Sequence, residues 1–257
     1  MAGNTIIGVP FESERSLQSL ILDQHEPTVF DEPVGVQRLF KIRAADSSGQ
    51  RSSASILINR MYATRGYPSN PLPEHAVPDR ITLTASDHDS VMGTISIGFD
   101  SSLGLLCDEL YQDEINQLRD KGWRVCEFTK LAMDSVVKSK RVLASLFHVA
   151  YVYAHRIKGF HRLLIEVNPR HVRYYQRMLG FEVWGPQRMN RRVSAPAVLL
   201  MLDFNHARDQ IGRLGGRADL IETERSLYPY FFSVPEEAGI VGRLHRADPS
   251  FAPPAVI

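Results

Sequence analysis

Residues 163–181 read Leu-Leu-Ile-Glu-Val-Asn-Pro-Arg-His-Val-Arg-Tyr-Tyr-Gln-Arg-Met-Leu-Gly-Phe, and no other stretch of the 257-residue chain constrains its fold as tightly. The apolar run through Val167 makes a buried strand. Asn168 then supplies a helix N-cap, with Pro169 in the first turn, where a missing N–H costs nothing. Gly180 provides a left-handed stop, and Phe181 folds back on the helix. A strand that enters a helix and returns to a strand is the unit from which α/β sheets are wound. Crossover helices of this kind require neighbouring central strands to run parallel.

The rest of the chain extends the pattern. Gln37–Arg43 is expected as a strand, Asp46–Ser55 as a Ser/Gly-rich loop, and Ile56–Tyr62 as a short helix ended by Gly66 and Pro68. Arg80–Ala85 and Val91–Phe99 read as a hairpin around Ser86-Asp87-His88-Asp89. Leu106, Leu110 and Leu118 mark an amphipathic helix stopped by Gly122, and Trp123–Met133 a strand. Arg141–Ile157 and Asn168–Leu179 follow as helices; Arg162–Val167, Phe181–Trp184 and Ala197–Phe204 follow as strands. This order predicts an α/β fold with a mixed central sheet flanked by helices. Residues 1–36, with Pro10, Pro27 and Pro33, are expected as a loosely ordered N-terminal arm, and residues 37–204 as the domain. Residues 205–257 form a C-terminal extension; its Tyr228, Tyr230, Phe231 and Phe232 should pack back on the domain rather than stay in water.

Composition excludes several classes. A net charge of +1 argues against a dedicated nucleic-acid binder. No apolar run approaches the roughly 20 residues of a membrane span, and the N-terminus carries no secretory pattern. Two cysteines, Cys107 and Cys126, suit a reduced, cytoplasmic protein, and no His/Cys cluster suggests a metal. Charge is nonetheless uneven: residues 156–192 hold nine Lys/Arg against Glu166 and Glu182, which suggests an anionic partner or a solvated basic face. Arg170, His171 and Arg173 fall in the first turn of the helix after Asn168, where cations oppose the helix dipole by about 0.3–1 kcal/mol each. A site for an anion would offset that cost.

The Asn168–Phe181 segment resembles the acceptor end of the N-acetyltransferase (GNAT) superfamily. Tyr175, seven residues after Asn168, falls where many relatives carry a tyrosine that protonates the leaving thiolate; Tyr174 is the neighbouring candidate. CoA-dependent members follow the central strand with a glycine-rich phosphate loop. The equivalent stretch, Asp134-Ser-Val-Val-Lys138-Ser-Lys140-Arg141-Val142, has no glycine, and side chains there would crowd a pyrophosphate off the backbone. Trp123–Asp134 is similar to the Glu-x-Ser-Arg-Phe strand of acyl-homoserine-lactone synthases, with Thr129 and Lys130 replacing Ser and Arg. Those synthases carry an Arg/Trp signature near the N-terminus; Arg60-Met-Tyr-Ala-Thr-Arg65-Gly-Tyr67 stands there instead. Over Phe40–Asp203, and again in Arg225–Phe232, the chain resembles long-chain N-acyl amino acid synthases of the FeeM type. The most specific pieces are Val167–Tyr175 with Leu179-Gly-Phe, and Ser194-Ala-Pro-Ala-Val-Leu-Leu.

That resemblance implies an enzyme that acylates the α-amine of an amino acid with a long chain delivered by acyl carrier protein. It implies no tightly bound cofactor, acyl-phosphopantetheine as co-substrate in preference to acyl-CoA, and an amphiphilic product expected at membranes. An amine must lose a proton to attack a thioester, and Glu127 is the candidate base, directly or through water. Lys130 is expected either to orient the acceptor carboxylate or hold Glu127, or to be plain surface charge, with Thr129 beside it, and a backbone N–H near Leu131 to meet the oxyanion. Arg170, His171 and Arg173 would receive the pantetheine phosphate, the carrier's acidic helix or a carboxylate. Phe147, Tyr151 and Tyr153 line either an acyl tunnel or plain core. The rival readings are a CoA-dependent acetyltransferase, a homoserine-lactone-type signal synthase and a non-catalytic binder of acyl carriers.

Overall fold

The computed structural model describes residues 5–11, 39–75, 77–135 and 139–247. Among them, eight strands make one sheet: β1 (Thr5–Pro10), β2 (Leu39–Ala44), β3 (Arg80–Asp87), β4 (Ser90–Phe99), β5 (Val125–Met133), β6 (Arg162–Val167), β7 (Glu182–Asn190) and β8 (Ala195–Asp203). Their spatial order is β1-β2-β3-β4-β5-β6-β8-β7. β5 and β6 pair in parallel, and the other neighbours are antiparallel. The helices are α1 (Ser48–Ala63), α2 (Asp108–Asp120), α3 (Lys140–Tyr151), α4 (Val172–Leu179), α5 (Phe204–Leu214) and α6 (Val234–Ala247). A wider π-helical turn, Val152–Ile157, prolongs α3, and a 3-10 turn, Pro169–His171, leads into α4.

The two faces of the sheet are filled differently. One carries the main core, where Leu83, Ile95, Ile97, Phe128 and Leu163 meet α3 and the aromatics of the C-terminal extension. Tyr228, Tyr230, Phe231 and Phe232 are all buried there, as their clustering predicts. The opposite face holds two smaller clusters. Ala54, Leu57, Ile58 and Met61 of α1 pack against Ala132. Tyr111, Ile115 and Leu118 of α2 pack with Val125, Leu164 and Leu199. Along β5, therefore, Val125 belongs to the α2 cluster and Ala132 to the α1 cluster, and what lies between them on that face is polar.

Several expectations are corrected. Thr5–Pro10 of the expected arm is an edge strand on β2, with Ile6 and Val9 buried; residues 12–36 lie outside the described residues. Most of the expected loop Asp46–Ser55 belongs to α1, because Ser47 and Gln50 form a reciprocal capping box that starts the helix well before its apolar residues begin. β7 runs on to Asn190 past Gly185 and Pro186, which an edge strand tolerates at irregular register. The extension contributes two helices, α5 and α6, beyond the aromatic segment.

Candidate active site

The β5–β6 pairing is short. Val125, Cys126 and Glu127 pair with Arg162, Leu163 and Leu164, and there it stops. β5 continues against β4 to Met133, while β6 continues against β8 to Val167. The two parallel strands thus part beyond Glu127, and a wedge opens in the middle of the sheet. β5 also carries an extra residue where it passes β4: Thr94 pairs with Ala132 but Ser96 with Thr129. This bulge puts Lys130 at φ 50°, and the Thr94 hydroxyl donates to the Lys130 carbonyl at 2.8 Å. A left-handed lysine costs about 1–2 kcal/mol, and such strain and bulges cluster at functional sites.

On the α1/α2 face the floor beside this bulge consists of hydroxyls and charges. Thr82, Ser96 and Thr129 are successive cross-strand partners, and the Thr82 and Ser96 hydroxyls lie 2.7 Å apart. The adjacent row is Arg80, Gly98 and Glu127. Glu127 is 1% exposed and accepts three hydrogen bonds: from Arg80 Nη2 at 2.9 Å, and from the Leu106 and Cys107 backbone N–H groups at 3.1 Å each. Arg80 Nη1 also donates to Thr129 Oγ1 at 3.1 Å. Gly98 makes room for this arrangement. A Cβ there would sit 2.8 Å from both Cγ and Oε1 of Glu127. Arg80, not Lys130, therefore holds Glu127, and Lys130 instead donates Nζ to the Asn70 carbonyl at 3.0 Å. Burial, with Arg80 nearby, pushes the Lys130 ammonium below its ordinary pKa.

A second carboxylate borders this floor. Glu166, two residues beyond Leu164 on β6, accepts from Asn190 Nδ2 at 3.3 Å and pairs with Arg192, which also reaches the Leu106 carbonyl. Burial raises its pKa to about 7, against the lowering effect of Arg192. Glu127 and Arg192 between them thus fix the loop entering α2 from both its N–H and its carbonyl side.

Beyond the wedge stand the α4 residues. Tyr175 is half-buried, its ring 6.5 Å from Phe147, 5.7 Å from Phe181 and 5.5 Å from Tyr174. Burial pushes its pKa well above that of an ordinary phenol, so it remains protonated at neutral pH. Tyr174 is exposed. Asn168 caps the turn before α4 by accepting from the Arg170 N–H, and donates its Nδ2 to the Tyr67 hydroxyl at 3.2 Å. Arg170, His171 and Arg173 are exposed as a basic face. Phe147 is buried between Phe128 and Tyr175, lining with Tyr151 and Leu163 a small apolar cavity of about 20 Å³. That is room for about one water, not an acyl chain. At the start of α3, the Ser139 hydroxyl already accepts from the Val142 N–H, and Arg141 donates to the Tyr230 carbonyl at 2.7 Å.

The structure thus gathers Glu127, Thr129 and Lys130 at the bulge and Tyr174, Tyr175, Arg170, His171 and Arg173 around α4, with Phe147 touching Tyr175 from the core side. Sequence reading missed Arg80, Ser96, Thr82 and Glu166. For Arg80 the available signal was Gly98, since a glycine inside a strand marks a close approach. Among the described residues no helix is long and apolar enough to cross a membrane.

Residues 53–203 match the family described as N-acyl amino acid synthase FeeM. The structure of FeeM, an N-acyl amino acid synthase from uncultured soil microbes, is similar with a TM-score of 0.58 at 25% identity, over 66% of this chain and 93% of that one. An acetyltransferase of the GNAT family from Streptococcus pneumoniae follows at 0.46 and 16%, over 64% and 98% of the two chains. An acyl-CoA N-acyltransferase from Pseudomonas aeruginosa follows at 0.46 and 11%, over 63% and 97%. No match is found among curated protein sequences. The mixed sheet is the fold of that FeeM structure.

Proposed function

The chain belongs to the FeeM family of N-acyl amino acid synthases and is an N-acyltransferase, and from that premise we propose that it moves a long-chain acyl group from acyl carrier protein to the α-amine of an amino acid. The observation that carries this reading is the wedge between β5 and β6, opening at a strained bulge. The unpaired strand edges there suit the amide groups of an extended pantetheine arm. The polar floor on the α1/α2 face suits a small hydrophilic acceptor.

In the reaction the amine nitrogen attacks the thioester carbonyl. A C–N bond forms, the C–S bond breaks, the amine gives up a proton and the thiolate takes one. Tyr175, kept neutral by burial, is the donor to the thiolate. Glu127 is enclosed by its three donors, so it takes the amine's proton through an intervening water. Three features favour a carrier-bound donor over CoA: a stretch from Asp134 to Val142 without glycine, a Val142 N–H already capped by Ser139, and an Arg141 committed to the tail. The exposed basic face of α4 suits an acidic carrier. Purified protein should acylate amino acids from long-chain acyl carrier protein at least tenfold faster than from the matching acyl-CoA. Equal rates with acetyl-CoA would overturn the reading.

A further inference from the structure

We infer that Glu166 is a second catalytic carboxylate, which takes the first of the two protons that an acceptor's ammonium nitrogen must shed on its way to an amide. The inference rests on the acyltransfer reading and adds a residue to it.

Proton bookkeeping calls for two acceptors. At neutral pH the acceptor nitrogen arrives as an ammonium, with no lone pair to attack a thioester. It loses one proton to become the nucleophile and another once the C–N bond has formed. The second, taken by Glu127 through water, balances the one that Tyr175 gives the thiolate. The first is the net proton of the reaction, in which ammonium and thioester give amide, thiol and one H+. It needs a separate base that can exchange it with solvent.

Sheet register puts Glu166 where that base belongs. Glu127 pairs with Leu164, the last pair before β5 and β6 part. Glu166 lies two residues further along β6, on the same face, opposite Leu199 of the α2 cluster. The wedge therefore has Glu127 and Thr129 on one lip and Glu166 on the other. The Glu166 side chain is 11% exposed, against 1% for Glu127, so it can meet both ligand and solvent. It is also less occupied. Oε2 pairs with Arg192, and among the described residues Oε1 accepts only from the Asn190 amide, at 3.3 Å. A carboxylate has about four lone-pair sites, which leaves Oε1 able to accept from an ammonium N–H.

The surrounding groups tune it for the task. Burial raises its pKa, Arg192 opposes that, and the carboxylates of Glu127 on β5 and Glu109 on α2 raise it further, to about 7. A base serves best near the working pH, where it both takes a proton and gives it up. Cys107 and Tyr111, at the entry and first turn of α2, do not compete for the proton: burial and nearby carboxylates, Glu166 among them, raise both their pKa values. Arg80 and Lys130 stand on the same face of the sheet, and positive charge beside an ammonium favours release of its proton.

The test is a pH profile of kcat/KM with one amino acid and one acyl carrier donor. In wild type, kcat/KM should rise with pH through a midpoint at about 7 and then level off. Glu166→Gln keeps an acceptor for Arg192 but cannot take a proton. It should be about a hundredfold slower at pH 7 and lack the plateau, climbing about tenfold per pH unit because only the neutral amine then reacts. Glu166→Asp should keep the limb with a displaced midpoint. Circular dichroism identifies a variant that fails to fold; if Glu166→Gln does, Glu166→Asp decides, because a limb belonging to another group would stay where wild type has it. A wild-type profile without this limb overturns the role and leaves the acyltransferase standing. A folded Glu166→Gln whose profile keeps the wild-type shape, at whatever rate, makes Glu166 merely structural and overturns it too. If no amine is acylated, the functional reading itself fails and the role with it.

Discussion

Glu127 illustrates how one side chain can be tied to architecture and chemistry together. Its carboxylate joins β5 to β3 through Arg80 and to the entry of α2 through two backbone N–H groups. Charge-assisted bonds of this type are roughly twice as strong as neutral ones. Replacing it with glutamine keeps the shape but removes the charge opposite Arg80 and sets an NH2 group against a donor. Glu127→Gln should therefore destabilise the protein by about 3–5 kcal/mol, the usual consequence of breaking a buried pair from one side. It should also lower kcat by roughly 10²–10⁴-fold, the usual worth of acid–base catalysis, in samples shown by circular dichroism to be folded. A folded variant with normal kcat would transfer the proton-accepting role to solvent. The sequence showed Glu127 through its place on the central strand. It could not show Arg80, because that partnership arises from strand register across 47 positions of chain, signalled locally by Gly98 alone.

At the scale of elements, what sequence made legible followed the strength of periodic patterning. β3, β4, β5 and β6 were read nearly to their ends, since apolar runs bounded by turns leave few alternatives. α1 was read only in its second half: Leu57, Ile58 and Met61 carry the pattern, whereas its first turns are Ser, Gly and Gln held by a cap. α5 was hidden by Gly212, Gly215 and Gly216, although Phe204, Ala207, Ile211 and Leu214 keep one face apolar. The wedge and the bulge were not legible at all, being properties of pairing between strands. α4 is the element whose exposed face invites a test. It holds no acid, and Arg173 and Arg177 make no ion pair among the described residues. Arg173→Glu should raise the KM for long-chain acyl carrier protein about tenfold and leave turnover of a short pantetheine thioester unaltered. Carrier binding should also weaken steeply with salt, since exposed charges are screened over roughly 8 Å at physiological ionic strength. Equal losses with both donors would reduce the basic face to a solvated surface.

The molecule as a whole is closed by its tail. Tyr228 donates its hydroxyl to the Leu179 carbonyl at 2.7 Å, and the Phe232 N–H donates to His148 Nδ1 at 2.9 Å. His148 Nε2 lies 3.0 Å from Glu237 on α6, whose other oxygen meets Arg156 at 3.1 Å. Because Nδ1 accepts from a backbone N–H, the ring is neutral with its proton on Nε2. Burial holds its pKa below the ordinary value, outweighing the raising effects of Glu237 and Glu236, while Arg141 adds to the lowering. The folded state thus binds this proton less readily than the unfolded chain. His148 therefore contributes stability in full above its unfolded pKa of about 6.5, and that contribution is lost as pH falls below it toward the folded value. The consequence reaches the site, since Tyr228 and Phe231 of the tail wall the cavity that Phe128 and Phe147 line behind β5. His148→Gln retains a donor and an acceptor but cannot titrate. At pH 7.5 it should be less stable than wild type by urea unfolding, with the gap narrowing as pH falls from about 6.5. Limited proteolysis should, over the same window, cut wild type between α5 and α6 progressively faster, while the variant's cleavage rate changes much less. A stability gap that is constant from pH 7.5 to 5 would remove His148 as the group that ties the tail to pH.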